Sequence, residues 1–183
     1  GFWPVYKGAS FDLWEPDTGE YYAWADTDVV TPVLQEKRLR GNRSIKSVFH
    51  ECDATWCADP DTLPCRFPRI AFRDVTRATD SRTVRCALIP PKVIAADKAP
   101  YMVRVRGTEK DEAFLLGILS SMSLDWYARR YVETGVKFFL LNPFPIPRPD
   151  ANNPLRARVI ELAGRLACPD ERFAGWAKEV GVE

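Results

Sequence analysis

Apolar and polar positions change period several times along the chain, and each change predicts an element. "GFWPVYKGASFDLW" alternates around Gly8, and "EPDTGEYYAWAD" adds turn residues (Pro16, Asp17, Gly19) before a second aromatic run, a pattern that predicts a β-hairpin. "TPVLQEKRL" reads as a short helix with Thr31 at its cap and Pro32 at its first position. Arg38, Arg40 and Arg43 are assigned to a loop marked by Gly, Asn and Ser, and "HECDATWCADPDTLPC" has no period and reads as irregular. Period two returns in "RIAFRDV" (69–75), with Ile70, Phe72 and Asp74 on one face, then in "RTVRCALI" (82–89) and "YMVRVR" (101–106). The polar connection "TRATDS" makes a hairpin of the first two, and all three strands are expected to pair antiparallel.

From Glu109 to about Val132 the period becomes helical, with Thr108 as cap, acids in the first turn and Arg129 and Arg130 near the end. Phe114, Leu115, Ile118, Leu119, Met122 and Trp126 form the expected buried face. "GVKFFLL" reads as a strand. Prolines 143, 145, 147 and 149 then force an extended strap, and "NPLRARVIELAGRLA" and "DERFAGWAKEV" read as two short helices. The pattern as a whole predicts an α+β fold: an antiparallel sheet with hairpins packed on one long helix, plus short C-terminal helices. It divides into a domain over 1–149 and a helical tail over 150–183. Trp3, Trp14, Trp24 and Trp56 are read as core aromatics rather than base-stacking platforms.

With 183 residues, 46% of them hydrophobic, the chain is able to bury an ordinary core. It has no apolar run of eighteen residues and no basic-then-apolar start, so a cytoplasmic protein is expected. Gly1 in place of methionine suggests a processed chain or a piece of a longer one.

Charge changes the picture more than composition does. The net value is +1, yet residues 37–106 carry fifteen Lys or Arg against seven acids, a local excess of eight. Eighteen of the 26 cations are arginine, whose planar fork suits phosphate and guanine edges better than lysine's point charge. The connection between the strands offers Arg73, Thr76, Arg77, Thr79, Asp80 and Arg82 as candidates for reading base edges. Arg73 and Asp74 are weighed as an internal pair. Lys37, Arg38, Arg40, Arg43 and Lys46 form a second basic strip, read as phosphate contacts.

Other chemistries fit less well. His50 is the single histidine, and neither a glycine-rich dinucleotide loop nor a Walker lysine occurs. "NPFP" (142–145) departs from the Asn-Pro-Pro-aromatic motif of amino-methyltransferases, because Phe144 stands where the second proline belongs. His50, Cys52, Cys57 and Cys65 place four zinc-type donors within sixteen residues, but without the two-residue knuckle of common sites; reduced, unconnected cysteines are the simpler reading.

The block "PRIAFRDVTRATDSRTVRCALIPP", the helix ending "LDWYARR" and the segment "FFLLNPFPIPRP" together resemble the C-terminal target recognition domain of TaqI-like adenine-specific DNA methyltransferases. The similarity extends to type IIG and IIL restriction-modification enzymes and to BREX phage-defence methylases, and it covers roughly residues 3–149. It implies a module that holds double-stranded DNA and reads its sequence. In such enzymes catalysis and S-adenosylmethionine binding lie in an upstream methyltransferase domain of the same polypeptide, so no cofactor is expected within this chain. A zinc-containing enzyme domain and an arginine-rich protein-interaction module are the alternatives.

Overall fold

The computed structural model describes residues 1–182. Strand β1 (Phe2–Tyr6) pairs antiparallel with β2 (Ala23–Asp26), in the register Phe2 to Asp26 and Val5 to Ala23. The expected hairpin therefore exists, but its connection is a long folded loop that begins with a 3-10 turn at Gly8–Ser10. On its other edge β1 takes β5 (Ile94–Ala95) in parallel. Strands β3 (Arg69–Phe72) and β4 (Cys86–Ile89) form a separate antiparallel ribbon. The fold is α+β, built on two small sheets rather than one.

The ribbon is buried on both faces, which explains why its strands are continuous apolar runs. In its register Ile70 faces Leu88 and Ala71 faces Ala87, so each pair shares a side. Ile70, Phe72, Cys86 and Leu88 point into the main core with the helices, while Ala71, Ala87 and Ile89 pack on Tyr6, Phe11 and Val93. The third expected strand, 101–106, is reduced to a bridge between Tyr101 and Ala71, with the Met102 N–H donating to the Ile70 carbonyl at 2.8 Å.

Helix α1 (Thr27–Asn42) is longer than expected. Asp26 caps it by accepting from the Asp28 N–H, so it starts before Thr31, and Pro32 lies inside it. Arg38 and Arg40 thus belong to a helix and Arg43 is its C-cap; the loop assignment for these three is corrected. The irregular segment that follows contains one short helix, α2 (Ala54–Ala58), capped by Asp53.

The long helix expected from Glu109 is two helices. α3 (Glu109–Leu119) opens with a capping box between Thr108 and Asp111, and α4 (Met122–Ala128) starts anew where the Ser121 hydroxyl accepts from the Leu124 N–H. Restarting rotates the face. Met122 and Trp126, expected in the core, are 72% and 60% exposed. "GVKFFLL" gives no strand: Phe138–Leu141 form a single helical turn, α5. The proline segment beyond it opens with turns at 142–144, where the Phe144 N–H donates to the Leu141 carbonyl at 3.1 Å and the Ile146 N–H to the Phe144 carbonyl at 2.8 Å, and 145–150 form neither helix nor strand.

Helix α6 (Pro154–Ala167), capped by Asn153, packs so closely on α3 that a Cβ on Gly117 would lie 2.7 Å from Val159 Cγ1. Helix α7 (Ala174–Val180) ends at Gly181 in the left-handed conformation, φ 86°. Ile160, Ala167, Phe173, Trp176 and Val180 join the same core as β3, β4 and α3, so the C-terminal segment is part of the packed body. Arg172 ties it to the N-terminal loop, donating to Asp17 at 2.7 Å and pairing with Asp170. None of the helices among the described residues is long and apolar enough to cross a membrane.

Candidate nucleic-acid interface

The 76–83 loop that joins β3 to β4 has a turn of its own: Asp80 Oδ2 accepts from the Arg77 N–H at 3.0 Å and from the Thr76 hydroxyl at 3.2 Å. The Arg77 N–H, with Thr76 and nearby cations, holds the Asp80 carboxyl below its ordinary range. The rest of the loop's shape comes from α4. Asp125, 2% exposed, receives the Thr83 and Val84 N–H groups on Oδ1 at 2.7 and 2.9 Å. Arg129 sits one turn later and donates to three loop carbonyls, of Ala78 at 2.6 Å and of Asp80 and Ser81 at 2.8 Å each. Its Nε meanwhile donates to Asp125 Oδ2 at 3.0 Å.

This clasp redistributes the arginines of the sequence reading. Arg82 folds back on the α3–α4 junction, donating to the Ser120 carbonyl at 2.5 Å and approaching Asp125 at 3.6 Å. Arg73 donates twice to the Phe11 carbonyl, at 2.8 and 2.6 Å, and pairs with Asp12 rather than with Asp74. Arg85 shares Asp12 at 3.0 Å, and Arg69 is buried. Asp74 is buried between Lys137 (2.6 Å) and Lys98 (3.3 Å). Burial alone would raise its pKa, but the two lysines outweigh this and hold the carboxyl low. Arg73, Arg82 and the buried Thr76 are therefore removed from the base-reading set.

Arg77 is different. It is exposed, and among the described residues it is the one arginine of 69–85 whose guanidinium has no hydrogen-bond or ion-pair partner. Thr79 and Ser81 are exposed beside it, and Asp80 is half-buried. Where the clasp helix ends, Arg130 is also exposed and lies over the Trp126 ring at 4.4 Å. Asp125, Arg129, Arg130 and Trp126 were absent from the sequence candidates. Their signal was the Asp–Arg spacing of four inside "LDWYARR", which marks a helical pair but not its reach to a loop more than forty residues upstream.

Lys37 and Arg40 on α1, Arg43 at its C-cap and Lys46 in the turn beyond are exposed, with Arg40 paired to Glu36 at 3.1 Å. Arg38 is not: it is 2% exposed and stacks on Trp56 at 5.1 Å. Its Nη atoms donate to the Thr62 hydroxyl, Gln35 Oε1 and the Asp59 carbonyl. The phosphate role assigned to it is corrected, because a buried guanidinium whose Nη atoms are held by α1 and the 59–62 turn is out of reach of a duplex.

His50, Cys52, Cys57 and Cys65 do not converge. His50 Nδ1 lies 3.2 Å from the Asn42 carbonyl, and no three His, Cys, Asp or Glu side chains among the described residues form a group able to hold a metal ion. All five cysteines are free. Burial pushes the Cys86 thiol up to about 11, and burial with Asp170 does the same for Cys168; Cys52 and Cys65 are raised by burial as well. Those four thiols are protonated at neutral pH, which does not suit nucleophilic chemistry. Trp24, expected in the core, is 60% exposed.

No family model, curated protein or solved structure matches this chain.

Proposed function

We propose that the chain is a sequence-specific, double-stranded-DNA-binding module, the target recognition part of a restriction-modification type N6-adenine DNA methyltransferase. The observation that carries the reading is the clasped loop. Five hydrogen bonds to Asp125 and from Arg129 fix the backbone of 78–84, so Arg77, among the described residues the one arginine of 69–85 without a guanidinium partner, projects from a held platform. Base discrimination needs such preorganisation, because a bidentate arginine on guanine is selective only when its approach angle is set. Thr79 and Ser81 supply hydroxyls beside it, and Arg130 on Trp126 supplies a second exposed fork. Lys37, Arg40, Arg43 and Lys46 serve as phosphate contacts. The resemblance of "RIAFRDVTRATDSRTVR" and "LDWYARR" to the recognition domains supplies the methyltransferase context. In this reading S-adenosylmethionine and methyl transfer belong to an upstream domain.

Fluorescence anisotropy on labelled duplexes tests it. With four phosphate contacts, log affinity should fall against log salt with a slope of about −3.6. A salt-independent response, or equal binding to an acidic polypeptide of matched charge density, would favour the protein-interaction reading instead.

A further inference from the structure

Away from the clasped loop, two arginines are buried without a carboxylate. Arg38 and Arg69 are 2% and 4% exposed. Neutral acceptors hold their Nη groups; for Arg69 these are the carbonyls of Pro64, Phe67 and Val93, the last at 2.7 Å. The Nε of each is buried with no hydrogen-bond partner. A guanidinium removed from water needs a counter-charge, and a donor left over is a further cost.

Both side chains line one recess of about 150 Å³ between α1, the turn at Pro64–Arg66, β5 and Tyr101. Lys37 lines it too, and no aspartate or glutamate does. Leu34, Leu63 and Ile94 supply apolar wall. Burial raises the pKa of Cys65 and of Tyr101, and at both sites the two arginines work against it, so their positive potentials overlap in this recess. Burial is also the leading influence lowering the pKa of Arg38 and of Arg69, and at Arg38 the nearby Asp59 carboxylate offsets it only in part.

We propose that the recess lined by Arg38, Arg69 and Lys37 binds a small oxyanion, a phosphate or a short carboxylate. Three cations without an acid set the sign of the ligand. Two buried guanidinium charges beside the Lys37 ammonium suit the negative oxygens of these groups. The size follows from the volume: at about 30 Å³ per water the recess holds the equivalent of roughly five waters, enough for orthophosphate or a small organic acid and too little for a nucleotide. No residue of the 76–83 loop lines the recess, and Lys37 is the one residue it shares with the phosphate contacts of the DNA-binding reading.

Thermal unfolding of the whole chain is followed during titration with sodium phosphate, sodium acetate and sodium chloride at matched ionic strength. Phosphate or acetate should raise Tm with a sharp onset, by roughly 3 to 5 °C for each tenfold increase above Kd, and chloride should not. The more effective anion identifies the ligand as phosphate or carboxylate. Line broadening of the phosphorus resonance of inorganic phosphate gives a readout independent of stability if phosphate is preferred. Lys37→Ala, which removes an exposed side chain and leaves the fold intact, should shift the titration midpoint several-fold to higher anion. Arg38→Met, if it folds, should abolish the response. Equal shifts in all three salts, or an unchanged midpoint in Lys37→Ala, overturn the proposal.

Discussion

Asp125 and Arg129, one turn apart on α4, meet at 3.0 Å and between them hold the 76–83 loop and its exit by five backbone hydrogen bonds. Asp125 takes the N–H groups where the loop enters β4, and Arg129 takes the carbonyls at its crest. A polar loop that would sample many conformers alone is thereby given one, dictated from a helix far along the chain.

Asp125→Ala should be among the most destabilising single changes. It leaves the Thr83 and Val84 N–H groups buried without acceptors and removes the anion facing Arg82 and Arg129. The expected loss is about 3 to 5 kcal/mol in urea denaturation. Hydrogen exchange at the two amides should accelerate well beyond that of β3.

Arg77 and Arg82 should separate cleanly, although both are arginines of one loop. Arg77→Ala removes an unpartnered surface side chain, so unfolding should shift by no more than about 0.5 kcal/mol. Arg82→Ala leaves the Ser120 carbonyl without its donor and should cost about 1 to 3 kcal/mol. Parallel denaturation curves of the two variants check this.

The sequence showed where elements lie better than it showed which side chains they spend internally. The β3–β4 ribbon and the Thr108 cap were legible because each depends on residues close in sequence. Helix α1 was truncated because Pro32 looks like a first position, whereas Asp26 caps five residues before Thr31. The burial of Arg38 had a trace in the pattern: Val30, Leu34 and Arg38 recur at helical spacing, and the first two pack on Leu63, Cys65 and Ile94. Starting the helix at Thr31 and assigning Arg38 to the loop erased that face. Arg73 and Arg82 looked free because their partners, Phe11, Asp12 and Ser120, are distant in sequence. "GVKFFLL" looked like a strand from its aromatic run, but Lys137 is drawn to Asp74, and the Leu141 and Asn142 N–H groups close a helical turn on the Lys137 and Phe138 carbonyls.

Gly135 is fixed by a close approach. A Cβ there would sit 2.5 Å from the Asp74 carbonyl oxygen, while the adjacent Val136 N–H donates to that same oxygen at 2.8 Å. Gly135→Ala should therefore cost about 1 to 3 kcal/mol and disturb the Lys98–Asp74–Lys137 cluster. Calorimetry of the variant, with Gly175→Ala as an uncrowded control, tests it.

Acid should destabilise the fold. Asp80 and Asp111 are held low chiefly by backbone N–H donors, Asp170 by Arg172, and Asp74 by two lysines that outweigh its burial. A depressed folded pKa means that the stabilisation is complete above the unfolded value near 3.9 and is lost as pH falls through the folded one. Burial raises Glu112, which acts with the opposite sign and gains as pH falls through its raised value. With Asp17, Asp53 and Glu161 also held low, the depressed carboxyls outnumber the raised one and predict a Tm that declines below about pH 4. Glu112→Gln should remove any gain between neutral pH and that decline, as read by thermal melts across pH.

The central claim is that the clasped loop presents Arg77 to a base edge, and selection from a randomised duplex pool by wild type and by Arg77→Ala tests it most directly. The wild-type chain should enrich a defined motif, and Arg77→Ala should lose about 1 to 3 kcal/mol of discrimination at one position while retaining the others and its unfolding midpoint. An identical motif from both proteins, or no enrichment by the wild type, contradicts the account.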